Sequence, residues 1–244
     1  MLVLLGGLSL PIGKWESCKQ SKSNRQKVKV QTETSTTWSS IELYAARWIS
    51  AVFNPLVFPT LGMILMLNQD THMFLGVTSS ARLILIVIVF ANTALLPMLS
   101  IILLKRMGIV GDVLLNERSD RIIPLLLSAI YCLVTYFLFA RLSIPGIIAI
   151  NILGLSLLVI ASTLITFFWK ISLHMASIGG LTGFLFALPF VLQIDITGLI
   201  AMFLIISGFV GWARLRLNAH TPAQVYAGFS MGFFMMIIFI LMLV

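Results

Sequence analysis

Apolar runs of about twenty residues, repeated along most of the chain, constrain this sequence more than any other feature. A helix needs about 20 mostly apolar residues to cross a bilayer. On that ruler, spans are expected over 49–67, 81–104, 122–140, 146–168, 177–193, 196–212 and 223–244. The runs are too long for barrel strands and lack strand-type alternation, so the expected fold class is all-α, a polytopic integral membrane helical bundle of 6–7 transmembrane helices. The first run carries Asn54, Pro55 and Pro59 and reads as broken or re-entrant, because backbone freed by proline must find partners in protein or water. Composition agrees: 59% of the 244 residues are apolar and 10% are charged, against about 25% charged in a soluble domain. A water-soluble globule and a disordered chain are both excluded.

The N-terminus differs. Residues 1–13 are apolar but too short to span, and the basic residues follow them, the reverse of a secretory signal. Lys14, Lys19, Lys22, Arg25, Lys27 and Lys29 stand among Ser, Thr, Gln and Asn over 14–37. That composition is expected to be disordered and drawn to anionic lipid headgroups, chiefly as a topological anchor. The chain is thus expected to divide into a basic segment, 1–40, and a membrane domain, 41–244. The net charge of +8 reads, in so apolar a chain, as bilayer orientation rather than nucleic-acid binding. Cys18 and Cys132 suit neither a disulfide framework nor a zinc site.

Parity groups the polar residues. Two spans separate the 105–121 loop from segment 169–175, and two more separate that segment from 213–222, so all three are expected at one membrane face. They hold Lys105, Arg106, Asp112, Asn116, Glu117, Arg118, Asp120 and Arg121, then Lys170, Ser172 and His174, then Arg214, Arg216, Asn218, His220 and Gln224. Two of the three histidines share this face, and His72 lies across the bilayer. Ionisable groups at a bundle end are expensive to arrange and mark a candidate site. Arginine gives fixed donors to phosphoryl oxygens, and histidine serves as nucleophile or general acid near neutral pH. A helix starting near Ser172–His174 would aim free N–H groups at an anion, with Gly179 and Gly180 allowing a neighbouring helix to approach. Thr221–Pro222 reads as an N-cap and first-turn proline ahead of the last helix.

Plainer readings compete. Glu117 and Arg121, four apart, suit a helix-surface ion pair. Lys105, Arg106 and Arg216 suit topology determinants, and Trp169 and Trp212 suit interfacial anchors.

The spacing Arg214-x5-His220-x3-Gln224 resembles the third motif of the type 2 phosphatidic acid phosphatase superfamily (lipid phosphate phosphatases and vanadium-haloperoxidase-like proteins), Ser-Arg-x5-His-x3-Asp. Lys170-Ile-Ser-Leu-His174 is similar to its second motif, Pro-Ser-Gly-His, and Asn116-Glu-Arg-Ser-Asp-Arg-Ile-Ile-Pro124 loosely echoes its first, Lys-x6-Arg-Pro. The resemblance covers about 105–230 and describes a divergent member. It implies that His220 attacks phosphorus to form a phosphohistidine and that His174 protonates the leaving oxygen. It further implies that Arg214, Ser172 and Arg121 or Arg118 hold the phosphoryl group, with Lys170 at its edge, and that no metal or cofactor takes part. The implied substrate is a lipid phosphate or diphosphate.

The chain departs from the motifs in four places. Gln224 replaces the aspartate that orients the nucleophile, and the analogous loss of charge in a serine protease triad costs about 10⁴ in rate. No lysine stands seven residues before Arg121 or Arg118, where Leu114 and Gly111 are found. Ile171 and Leu173 replace Pro and Gly, and Ala213 replaces Ser. Two other readings stay open: a lapsed member that binds or moves a lipid phosphate, and a membrane prenyltransferase, faintly echoed by Asn116-Glu117-x-x-Asp120 but short of the oxygen ligands that Mg²⁺ needs. With seven spans, fourteen of the sixteen Lys+Arg share the site's side, with only Arg82 and Arg141 opposite. In a bacterial inner (plasma) membrane the positive-inside rule turns that side to the cytoplasm, although bacterial relatives often face outward.

Overall fold

A computed structural model describes residues 39–243, apart from 70, 75, 113, 114, 116 and 143. The basic segment 14–37 and Asn116 therefore lie outside the described residues. The chain divides between Tyr44 and Ala45, and the architecture below is that of Ala45–Val244. Its first helix, α1 (39–52), begins before that division.

Six helices are long and apolar enough to cross a membrane: α3 (Ser79–Arg106), α4 (Arg118–Arg141), α5 (Gly146–Phe168), α6 (Leu173–Leu192), α7 (Thr197–Arg216) and α8 (Pro222–Leu243). No strand occurs among the described residues. The protein is an all-α, polytopic integral membrane bundle. Its surface chemistry fits a hydrocarbon solvent, since Leu83, Phe137, Ile205 and Phe234 are each more than half exposed. Ile148, Ile152, Ile178, Phe184, Leu185 and Leu188 fill the interior. Several helices begin or end beyond the apolar runs that announce them. Arg118–Arg121, Leu173–His174 and Arg214–Arg216 are polar to the eye yet helical, because a helix continues until it is capped rather than until hydropathy falls.

The expected span over 49–67 is two pieces. Helix α1 ends at 52, and Asn54 builds the break: its Oδ1 accepts from Leu56 N–H at 3.0 Å and its carbonyl from Val57 N–H at 3.0 Å. Pro55 has no N–H to continue the ladder. The chain then re-enters helix as α2 (Phe58–Leu67), with Pro59 tolerated in the first turn. Ser50 bonds to His174 and Arg214 at one end of the bundle. Leu67 gives its carbonyl to Arg82, near the start of α3, at the other. The segment thus passes from one end of the bundle to the other without a continuous helix. Arg82 also donates to the Val77 and Phe74 carbonyls, so this charge is spent on turning the chain.

Helix α3 has its own irregularity, a π-turn over Ala91–Leu95 just ahead of Pro97. Proline removes a donor and crowds the carbonyl four residues earlier. Asn92 and Thr93 answer locally by donating to the Ile88 and Val89 carbonyls.

The tightest helix pair is α6 with α8. Gly179 and Gly183 on α6 face the backbone of Phe229 and Phe233, while Gly228 and Gly232 on α8 face Ser172 and Ala176. Both pairs have the small-x-x-x-small spacing that lets membrane helices meet backbone to backbone. Gly179 was expected to admit a neighbour, and the last helix is that neighbour. A methyl at Gly232 would run into the Ala176 carbonyl, whereas one at Gly208 meets nothing within 4 Å. Gly232→Leu is therefore expected to cost on the order of 3 kcal/mol, read as a lower unfolding midpoint in detergent. Gly208→Leu should leave the midpoint unchanged; equal midpoints for both would contradict the seam.

Candidate active site

The glycine seam sets the starts of α6 and α8 side by side, and the sequence-predicted residues meet there. The two starts are also tied directly, because Ser172 N–H donates to the Gln224 carbonyl at 3.4 Å. Across the same end, Arg118 Nη1 donates to the Phe168 carbonyl at 2.8 Å and Arg121 Nη1 to the Ile171 carbonyl at 3.4 Å. The loops before α4, α6 and α8 therefore share one end of the bundle, as parity requires. The N-terminal ends of all three helices lie there, each carrying unsatisfied N–H groups and the positive end of its dipole.

Thr221 and Gln224 form a capping box at the start of α8. Gln224 N–H donates to Thr221 Oγ1 at 3.4 Å, and Thr221 N–H donates to Gln224 Oε1 at 3.2 Å. The second bond fixes which end of the amide is oxygen, because a backbone N–H can only donate. The same Oε1 lies 3.0 Å from His220 Nδ1. An oxygen acceptor there requires the ring proton on Nδ1, which leaves Nε2 as a bare lone pair. The ring is buried and lines an open cleft with Lys170, Asn218, Thr221 and Gln224. Burial lowers the His220 pKa to about 4; the Gln224 bond opposes the shift, and the charges of Arg214, Arg121 and Lys170 add to it. The imidazole is neutral at physiological pH.

Between its ordinary value of 6.5 and about 4, His220 binds a proton in the unfolded chain but not in the folded one. Its contribution to stability is therefore complete above 6.5 and is lost as pH falls towards 4. The unfolding midpoint is expected to drop over that window, and to drop less in His220→Asn. Parallel curves for the two proteins would contradict a buried neutral ring.

His174, one residue into α6, points at the broken span. Its Nε2 lies 3.2 Å from the Ser50 carbonyl, and since a carbonyl only accepts, the proton sits on Nε2. Arg214, in the last turn of α7, donates from Nη1 to Ser50 Oγ at 3.4 Å. Its Nε is buried and has no hydrogen-bond partner. Ser172 is the N-cap residue of α6, yet it makes no side-chain cap, and its fully buried Oγ is likewise without a partner. These are two of the four buried side-chain polar atoms among the described residues that lack partners.

Arg121 is buried and gives Nε to the Leu115 carbonyl at 2.7 Å. Glu117 acts electrostatically on both Arg121 and Lys170. Burial first, then the charge of Arg121, holds the Lys170 amine below its usual range, with Glu117 opposing. Arg118 is exposed and caps the end of α5 through Phe168, so it stands at the margin and not in the cleft. Trp169 and Trp212 sit partly exposed at this end. Two of the motif departures have a packing role here: Ile171 and Ala213 are buried in the bundle. Ser50 was not anticipated. Its signal in the sequence was a serine four residues ahead of the Asn54-Pro55 break, with nothing to say which helices it would meet.

A neutral histidine, three cationic side chains and two unpaired buried donors suit an anion with several acceptor oxygens. Compared with protein-family models, curated proteins and solved structures, the chain matches none.

Proposed function

We propose that the protein is an integral membrane phosphatase of lipid phosphates or diphosphates, with His220 as nucleophile and no metal in the reaction. The observation that carries this reading is the neutral His220 ring at the same end of the bundle as two buried, unpartnered polar groups, Ser172 Oγ and Arg214 Nε. Leaving such groups unpaired costs roughly 1–3 kcal/mol each, and a phosphoryl group would satisfy both. In the proposed reaction, the phosphate is held by Arg214, Ser172, Arg121 and the α6 N-terminus. Nε2 of His220 bonds to phosphorus as the bond to the lipid oxygen breaks. The leaving oxygen takes the Nε2 proton from His174 in its doubly protonated, imidazolium form once the bond to Ser50 opens, and the neutral ring that remains recovers a proton from the water that attacks next. Water then attacks the phosphohistidine, releasing orthophosphate and the free ring. The hydrocarbon chains of the substrate remain in the bilayer throughout.

The charge distribution supports a cytoplasmic site. Of the Lys and Arg in 39–244, only Arg82 and Arg141 belong to the opposite end. A plasma membrane such as the bacterial inner membrane is the proposed location.

Gln224 favours a second reading, in which the pocket binds or moves a lipid phosphate without turnover, because an amide offers no charge to an imidazolium. Magnesium-dependent prenyl transfer is disfavoured, since the sequence has eight acidic residues in all and no second aspartate cluster to pair with Asn116-Glu117-x-x-Asp120. Phosphate release from a panel of lipid phosphates in EDTA separates the three. Release that persists supports the phosphatase, a Mg²⁺ requirement supports transfer, and no release from any lipid supports the binding protein.

A further inference from the structure

We propose that Ser50, on the first half of the broken span, is a positioning residue of the phosphate site, holding His174 through its carbonyl and Arg214 through its hydroxyl. The inference rests on the reading of the site given above and extends it to a segment outside the motif-bearing region. Ser50 is 124 positions from His174 and 164 from Arg214.

The break in the span makes the carbonyl available. The last carbonyls of a helix have no intrahelical partner. Ile49 still receives Phe53 N–H at 2.9 Å, and the next carbonyl, that of Ser50, meets His174 Nε2 instead. Asn54 and Pro55 stop the helix at this point, so an uninterrupted span would consume the group. The consequence for His174 is a fixed tautomer and ring orientation, with the proton stored on Nε2. For Arg214 the consequence is directional. A guanidinium is a planar fork, and anchoring Nη1 at the Ser50 hydroxyl leaves Nε, which has no partner in the protein, for an anion. Side chains from α6 and α7 thus take their alignment from one residue of a third element.

The test uses the full chain in detergent or nanodiscs, with a short-chain phosphatidic acid as substrate and orthophosphate as ligand. Ser50→Ala removes the hydroxyl and keeps the carbonyl, and Ser50→Thr restores a hydroxyl. The expected result for Ser50→Ala is a KM and an orthophosphate dissociation constant each raised about tenfold, as for loss of a charged hydrogen bond. Its kcat should stay within about twofold, and Ser50→Thr should lie close to wild type. Pro55→Ala, which lets the helix continue so that Asn54 N–H can take the Ser50 carbonyl, is expected to shift the basic limb of the pH–rate profile through His174. Wild-type constants in Ser50→Ala, or equal losses in Ala and Thr, would overturn the proposal while leaving the phosphatase intact. If the wild type releases no phosphate, the phosphatase reading falls. Ser50 is then judged on orthophosphate stabilisation alone, and absence of that stabilisation in the wild type overturns both.

Discussion

His220→Ala is expected to lower phosphate release from a lipid phosphate by about 10⁴-fold or more, the loss typical of removing a covalent nucleophile. The reason is the tautomer. Thr221 N–H commits Gln224 Oε1 to accept, Oε1 in turn commits the His220 proton to Nδ1, and Nε2 is left with its lone pair beside the cationic side chains. Alanine removes that lone pair but keeps the Thr221–Gln224 capping box, so α8 should still start at Pro222 and the fold should survive. The measurement is initial rate at saturating substrate, paired with trapping of acid-labile ³²P on the wild type after a brief reaction. A variant within tenfold of wild type, or an active wild type that never carries label, would rule out His220 as the nucleophile.

Gln224→Glu is expected to raise turnover by about 10- to 100-fold and to move the acid limb of the pH–rate profile upward. Both effects have one cause. A carboxylate at the same chain length still accepts Thr221 N–H, and glutamate is itself a capping-box residue, so the helix start is retained. The new charge meets the Nδ1 proton and stabilises the imidazolium character that builds as Nε2 bonds to phosphorus. The expected gain is smaller than the roughly 10⁴ lost when a triad aspartate becomes an amide, because the capping box here already holds the productive tautomer. The sign of the pH effect follows directly. In the proposed reaction the neutral ring is the reactive form, and its pKa is about 4, so wild-type activity should persist down to about that pH. A glutamate favours the protonated ring, raises its pKa, and makes activity fail at a higher pH. Unchanged turnover together with an unchanged acid limb would show that Gln224 acts only as a helix cap. A gain in rate would support the proposed phosphatase over the binding protein.

The sequence and the tertiary structure contributed to the site in different ways. Residues close in sequence were legible. Thr221-Pro222 is a helix-start signal, although the capping-box role of Gln224 came only from the structure, and Asn54-Pro55 marks a break that no apolar neighbour can repair. Parity of the spans grouped Arg121, Lys170, His174, Arg214 and His220 at one end, since each crossing reverses the side. Contacts between helices were not legible. Arg118 and Arg121 were equal candidates by spacing, yet Arg118 is exposed and caps the end of α5 while Arg121 is buried beside it. Nothing in the chain announced that Ser50 would serve both His174 and Arg214.

By itself, the sequence determined that this chain lives in a bilayer, how its spans alternate, and which end gathers its cations and two of its histidines. Those properties depend on hydropathy summed over a helix and on charge near its ends, which are local quantities. Only the tertiary structure decided which of those side chains face one another, which donors stay unpaired, and which nitrogen of His220 is bare. Such choices depend on ångström-scale approach between helices, here set by glycines that bring α6 and α8 into backbone contact. Distances of that kind are fixed by packing between segments and are written in no single one of them.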